Sequence, residues 1–480
     1  MAKNIVVNIG PEEARMALLQ DGELLEVSVE RTDSGNIVGN IYKGKIKNVL
    51  PGMQAIFVDI GRDKNAFLYI GDIAPRSHGS SFASDVLTVG QDIIVQIVKD
   101  AIGTKGPRAT THLTLPGRYV VLMPTVDYIG ISRRIESEAE RERLKSLAEK
   151  VRPPEMGMIV RTVAEGKNED DLRKDIEYLS NLWSALSARS KRANAPALLY
   201  RDVDLVIRIV RDHLTPDVDK FTVDNREAYA RVCDLLNFSS PELSQRVVLY
   251  EGKEDIFASY GLDKEIDKLG QRCVWLKCGG YIVIDRTEAL TVIDVNTGKY
   301  VGNTNLADTV LHTNIEAAAE IARQIRLRDI GGIIIIDFID MDKEEHKQAV
   351  LSALGEKLKS DRTKTNVIGL TGLGLVEMTR KKSRQNIESM LYTECPCCEG
   401  RGRVQSPETV MINLRRQLRK QIGSRKGQGG LLIQLHPSVS ALFDRPGVLS
   451  LLEKEMCRTI KIEGVASMHP EVFTVLYNTD

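Results

Sequence analysis

The run Cys395-Pro396-Cys397-Cys398-Glu399-Gly400-Arg401-Gly402 holds Cys395 and Cys398 in C-x-x-C spacing. Two thiolates on one turn can reach a single ion, and the glycines let backbone N–H groups approach the sulfurs. Zinc takes four ligands, and no second C-x-x-C or H-x-x-H pair follows. The spacing thus suggests half of a Zn²⁺ site, with the other half expected from another chain. A redox pair, or two buried thiols, is the competing account. A second candidate pair is acidic. Asp294 ends the segment Leu290-Thr291-Val292-Ile293-Asp294, and Asp337 ends Ile333-Ile334-Ile335-Ile336-Asp337. Two carboxylates brought close repel unless a cation lies between them. Mg²⁺ suits such a pair, being hard and content with few protein ligands plus water and phosphate. Asn296, two residues beyond Asp294, points the same way and can orient its carboxylate or a water. The competing account is that each aspartate caps its following loop, and Asp285, Asp340 and Asp342 stand as auxiliaries.

The aspartates can meet only if their strands are parallel. Leu306, Val310, Ala317, Ile321 and Ile325 fall on one stripe between them, so a long helix is expected, ended by Gly331-Gly332. A strand–helix–strand crossover makes the strands parallel and brings both aspartates to one sheet edge, where open α/β sheets build sites. Tyr281–Asp285 is expected to form a neighbouring strand, and a further helix to begin after Asp340.

Upstream, 35–117 reads as short strands with glycines at their ends, the pattern of a small barrel. Phe57 and Phe67 fall on neighbouring strands, with Lys99, Lys105 and Arg108 on a later strand and loop. Aromatics beside cations can stack bases and track phosphates, although buried core is the plainer fate of either ring. Residues 4–32 read as a β-hairpin too small to bury a core alone. Residues 118–205 alternate strand and helix, with helices expected near 136–150 and 168–190 and a strand at 158–162. Arg161 presents a planar fork of donors and Thr162 a hydroxyl, or Arg161 simply ends its strand and pairs with an acid such as Glu165. Residues 406–480 read as a small α/β tail opening with a basic helix that carries Arg415, Arg416, Arg419 and Lys420, followed by Arg425 and Lys426.

The chain has 480 residues, enough for several domains. Its 66 basic and 66 acidic side chains cancel, so nucleic-acid binding must be sought in local clusters. No run of 18 apolar residues is present to span a membrane. Seven scattered cysteines and no signal-peptide pattern point to a cytoplasmic setting.

Long collinear motifs now become recognisable. Glu288–Asn296 (EALTVIDVN), Arg326–Gly332 (RLRDIGG) and Ile336–Met341 (IDFIDM) closely resemble the ribonuclease E/G family, as do Asn40–Gly44, Gly130–Arg134 and the cysteine run. The resemblance covers essentially the whole chain. It implies a multidomain α/β and α+β protein. A degenerate ribonuclease-H-like domain (1–34 plus 206–270) carries an inserted oligonucleotide-binding barrel (35–117) and a 5′-sensor domain (118–205). A deoxyribonuclease-I-like catalytic domain (271–390), a zinc link (391–405) and a small C-terminal domain (406–480) follow. The implied activity is metal-dependent endonucleolytic cleavage of single-stranded RNA leaving 5′-phosphate ends, in ribosomal RNA precursor maturation and mRNA decay. By position, Asp294 and Asp337 match the magnesium ligands and Asn296 the residue orienting them. Phe57, Phe67 and Lys105 match the RNA-gripping surface, and Gly117, Val121, Arg161 and Thr162 the pocket that senses a 5′-monophosphate. Cys395 and Cys398 match a Zn²⁺ link shared by two chains, giving a homodimer or a higher oligomer of such dimers. A non-enzymatic RNA-binding scaffold and a deoxyribonuclease are the rival classes.

Overall fold

The computed structural model describes residues 2–31, 37–74, 87–101, 105–202, 204–299, 306–382, 387–423 and 429–477. Arg425 and Lys426 lie outside the described residues. The chain divides into two compact units, 1–391 and 392–480.

In the first unit, the N-terminal segment is a three-stranded meander rather than a hairpin: Lys3–Ile9, Glu13–Gln20 and Glu23–Arg31. The middle strand, EARMALLQ, is built of good helix formers. It is held extended by pairing on both sides, and Met16, Ala17, Leu18 and Leu19 are all buried. Lys3–Ile9 also pairs in parallel with Lys220–Val223, far along the chain, and so gains the partner a short hairpin lacks.

The next sheet is a closed five-stranded barrel of the oligonucleotide-binding kind. Ile41–Leu50, Ala55–Asp59, Ala66–Tyr69, Arg108–Thr110 and Asp92–Lys99 follow one another, and Asp92–Lys99 pairs back to Ile41–Leu50. Ile46, Ile56, Val58, Leu68, Val95 and Ile97 fill its interior. Ala197–Tyr200 pairs with Ile41–Leu50 of this sheet, whereas Leu115–Pro116 joins the following one. That following sheet contains Leu115–Pro116, Val120–Met123, Gly157–Val160 and Ile129–Ile131, backed by the helices Glu138–Val151 and Glu169–Arg192.

A six-stranded mixed sheet completes the unit, in the order Cys273–Trp275, Tyr281–Arg286, Leu290–Asn296, Gly332–Asp337, Val376–Arg380, Thr365–Leu370. Its one parallel pair is Leu290–Asn296 with Gly332–Asp337, joined through the helix Leu306–Leu327. Val310, Ala317, Ile321 and Ile325 of that helix are buried, but Leu306, at its first position, is 78% exposed. The helix stops at Leu327, before the two glycines, because Asp329 turns to the left-handed region with φ +49° and Gly332 already begins the next strand. In the second unit, Leu431–Leu435 is the central strand between Ile460–Gly464 and Phe473–Tyr477, covered by the helices Pro407–Gly423 and Val448–Met456.

Candidate functional site

Asp294 and Asp337 stand directly opposite each other in the parallel register. Ile293 and Ile336, one residue earlier on each strand, are fully buried. Strand alternation therefore turns both carboxylates to the other face, where both are exposed. Asn296 Nδ2 donates to Asp294 Oδ2 at 2.8 Å, fixing that carboxylate's orientation. Burial, then the nearby charges of Asp294 and Asp340, push the Asp337 carboxyl above its ordinary value. Among the described residues, neither aspartate has a cationic partner within ion-pair distance. Asp340 sits at the same edge on a loop pinned by Asn314 of the long helix, which donates to Ile339 O at 2.8 Å and accepts from Ile339 N at 3.1 Å. Asp285 is engaged elsewhere, in an ion pair with Arg272.

On the barrel, the register runs Phe57 to Phe67, Phe67 to Arg108, and Arg108 to Lys99. These four side chains thus form one row across adjacent strands, on the face opposite the barrel core. The two rings meet edge-on with centroids 6.0 Å apart, and both are only half-buried. Lys99 and Lys105 are exposed. Arg108 bonds Asp72 at 2.8 Å. Gly106 lies against the barrel backbone: a Cβ there would sit 2.2 Å from Asn65 O, so no larger residue could follow Lys105 without a shift.

Arg161 Nη1 donates to Gly117 O at 2.7 Å and Nη2 to Asp212 Oδ1 at 2.6 Å. Its acidic partner is therefore Asp212, not Glu165. Burial pushes the Asp212 carboxyl up, but hydrogen bonding and charge from Arg211, then from Arg161, outweigh it and hold the group at about 2. Gly117 admits the carboxylate of Asp175, which a Cβ would approach to 2.5 Å. Asp175 accepts from the backbone N–H groups of Arg118, Tyr119 and Val120, locking the turn that presents Gly117 O. Thr162 Oγ1 lies 2.9 Å from Ser132 Oγ, and Val121 is on the neighbouring strand, paired with Ile159. Arg161 and Thr162 border a cavity of about 1250 Å³ that also reaches Arg134, Arg208, Arg211 and Arg362. Asp212 was missed by sequence reasoning, because only folding carries it across to Arg161.

In the second unit, the nearby backbone N–H groups of Cys398 and Cys397, and then the Cys398 side chain, lower the Cys395 thiol below its ordinary pKa. Gly402 N approaches Cys398 Sγ at 3.3 Å. Glu399, Gly400 and Gly402 all have positive φ, and so wrap the backbone round the sulfurs. Two thiols on one turn with N–H donors fit thiolate ligation. Cys397 is tied differently, its carbonyl bonding His469 Nε2 at 2.6 Å.

The sequence profile described as the Ribonuclease E/G family matches residues 114–383. The chain is 42% identical to Ribonuclease G of Escherichia coli K12 over 99% of its own length and 100% of that protein. It is 41% identical to Ribonuclease G of Haemophilus influenzae over 99% of both chains. Against Ribonuclease E of Nostoc the identity is 40%, covering 84% of this chain and 59% of that one. This chain therefore belongs to the ribonuclease E/G family.

Proposed function

We infer that the chain cuts single-stranded RNA at the sheet edge bearing Asp294 and Asp337, leaving a 5′-phosphate on the downstream product. That it is an endoribonuclease follows from its family and from full-length relatives named Ribonuclease G. The finer reading rests on one observation: two exposed carboxylates directly opposed in register, with no cationic partner among the described residues. Such a pair fits a hard divalent cation, and Mg²⁺ is the ion it would hold. Bound there, Mg²⁺ supplies Lewis-acid polarisation of a water and of the scissile phosphate. Asn296 keeps Asp294 in its ligating orientation. Phe57 and Phe67 stack bases, while Lys99 and Lys105 track the phosphates. Arg161 and Thr162 receive a 5′-monophosphate; Gly117 and Val121 do not line the cavity themselves, but Gly117 O holds the Arg161 guanidinium and Val121 pairs with Ile159, which lines it. Cys395 and Cys398 of two chains share one Zn²⁺ in a homodimer. The substrates that fit this reading are ribosomal RNA precursor and mRNA, in a cytoplasmic setting.

The test is cleavage of a short single-stranded RNA by Asp294→Asn and Asp337→Asn, which keep shape but remove charge. Cleavage at limiting Mg²⁺ should fall by about 100-fold or more while RNA binding persists. Normal cutting by both variants would overturn the assignment. A matched DNA oligonucleotide should resist the wild-type protein.

A further inference from the structure

Cys278 lies in the tight turn between the strands Cys273–Trp275 and Tyr281–Arg286. His312 and Glu316 are four residues apart on the helix Leu306–Leu327, and so share one face. Folding brings a ligand atom of each residue within 4.8 Å of the other two. Cys278 and Glu316 are half-buried and His312 is exposed. The Glu316 carboxylate is already anchored, accepting from Lys277 N at 2.5 Å and from Cys278 N at 3.1 Å. A carboxylate has lone pairs beyond those two bonds, so it can still ligate.

We propose that Cys278, His312 and Glu316 form a binding site for one zinc-like divalent transition-metal ion per chain. A thiolate, an imidazole and a carboxylate make a borderline-soft donor set, suited to Zn²⁺ or Co²⁺ and poorly suited to Mg²⁺. This separates the site chemically from the Asp294–Asp337 pair. Metal bonds of about 2.0–2.3 Å set ligands roughly 3.5 Å apart, closer than the present limit, and exposed His312 can swing inward to close the gap. Three protein ligands leave a fourth position for water. The ion would tie the turn to the helix beside the active edge. Tyr281, which follows the turn, pairs with Asn296, and a Cβ on Gly280 would lie 2.8 Å from Asn296 O.

The experiment titrates Co²⁺ into chelator-stripped full-length protein and follows the near-ultraviolet thiolate-to-cobalt absorption. Cys278→Ser should lose one thiolate-ligated site per chain relative to wild type. His312→Ala, at an exposed position, should keep the fold and weaken that site by about tenfold or more. Cys395→Ser should leave the same site intact, so a failure of the proposed zinc link and a failure of this site give different results. Melting of the metal-free variants at the wild-type temperature excludes unfolding as the cause of any loss. Wild-type titration by both Cys278→Ser and His312→Ala, or loss of all thiolate absorption in Cys395→Ser, would overturn the proposal.

Discussion

Arg161 has committed two of its donors within the chain, one to Gly117 O and one to Asp212. Those bonds hold the guanidinium plane, while the remaining edge of a five-donor fork can meet a phosphate. A charge-assisted contact contributes about 1.5–3 kcal/mol, or roughly 10- to 150-fold in binding. If Arg161 receives a 5′-monophosphate as proposed, 5′-monophosphorylated RNA should be cut faster than 5′-hydroxyl RNA, and Arg161→Ala should abolish that preference while leaving 5′-hydroxyl RNA cut nearly as before. Equal slowing of both substrates would assign Arg161 a purely structural role. Asp212 makes a separate prediction about acid. Its folded carboxyl is depressed to about 2 from 3.8, so its stabilisation is fully present above the unfolded value and is lost as pH falls through about 2. The shift corresponds to about 2 kcal/mol. The gap in denaturant midpoint between wild type and Asp212→Asn should thus be wide at pH 6, about half as wide at pH 3, and closed only below about pH 2. A gap independent of pH would show that packing, not charge, is what the substitution removes.

Among the elements, the barrel strands carry the clearest consequence. Pairing places Phe57, Phe67, Arg108 and Lys99 in one outward row, while Ile56, Val58, Leu68 and Ile97 alternate inward. Base stacking contributes about 1–3 kcal/mol per ring. Phe67→Ala should weaken RNA binding by roughly tenfold, with a melting temperature close to wild type, because the half-buried ring lies outside the core. A large fall in melting temperature with unchanged affinity would reassign the ring to packing. The strand Glu13–Gln20 shows why elements are harder to read than residues. Its composition favours helix, but antiparallel pairing with Lys3–Ile9 on one side and Glu23–Arg31 on the other holds it extended, in a sheet that Lys220–Val223 joins from far along the chain. The helix end at Leu327 is similar: Asp329 adopts positive φ and its carboxylate bonds buried Arg380 at 2.5 Å, a partner supplied by a distant strand. Neither signal is local.

For the whole molecule, the shared-zinc reading makes a stoichiometric prediction for the Cys395–Cys398 turn. That site should hold one zinc per two chains. Cys395→Ser should remove that half-equivalent per chain and shift the sedimentation profile towards monomer, whereas Cys397→Ser should do neither. A full equivalent per chain lost on Cys395→Ser would require all four ligands in one protomer. Among the described residues, no helix is long and apolar enough to cross a membrane.

The amino-acid sequence by itself determined what nearest neighbours and chain direction decide. The short apolar runs LTVID and IIIID, with a helix-period stripe between them, force two parallel strands and send Asp294 and Asp337 to one edge. The C-x-x-C spacing brings two thiols onto one turn, because that geometry is set within a few residues. Only the tertiary structure decided what depends on contacts between distant segments. It brought Asp212 to Arg161, closed the barrel by pairing Asp92–Lys99 with Ile41–Leu50, and set Cys278 against His312 and Glu316. Periodicity reports which way a side chain faces on its own element, but not which other element arrives opposite it. That second choice is made by burial of whole faces and satisfaction of backbone hydrogen bonds across the chain.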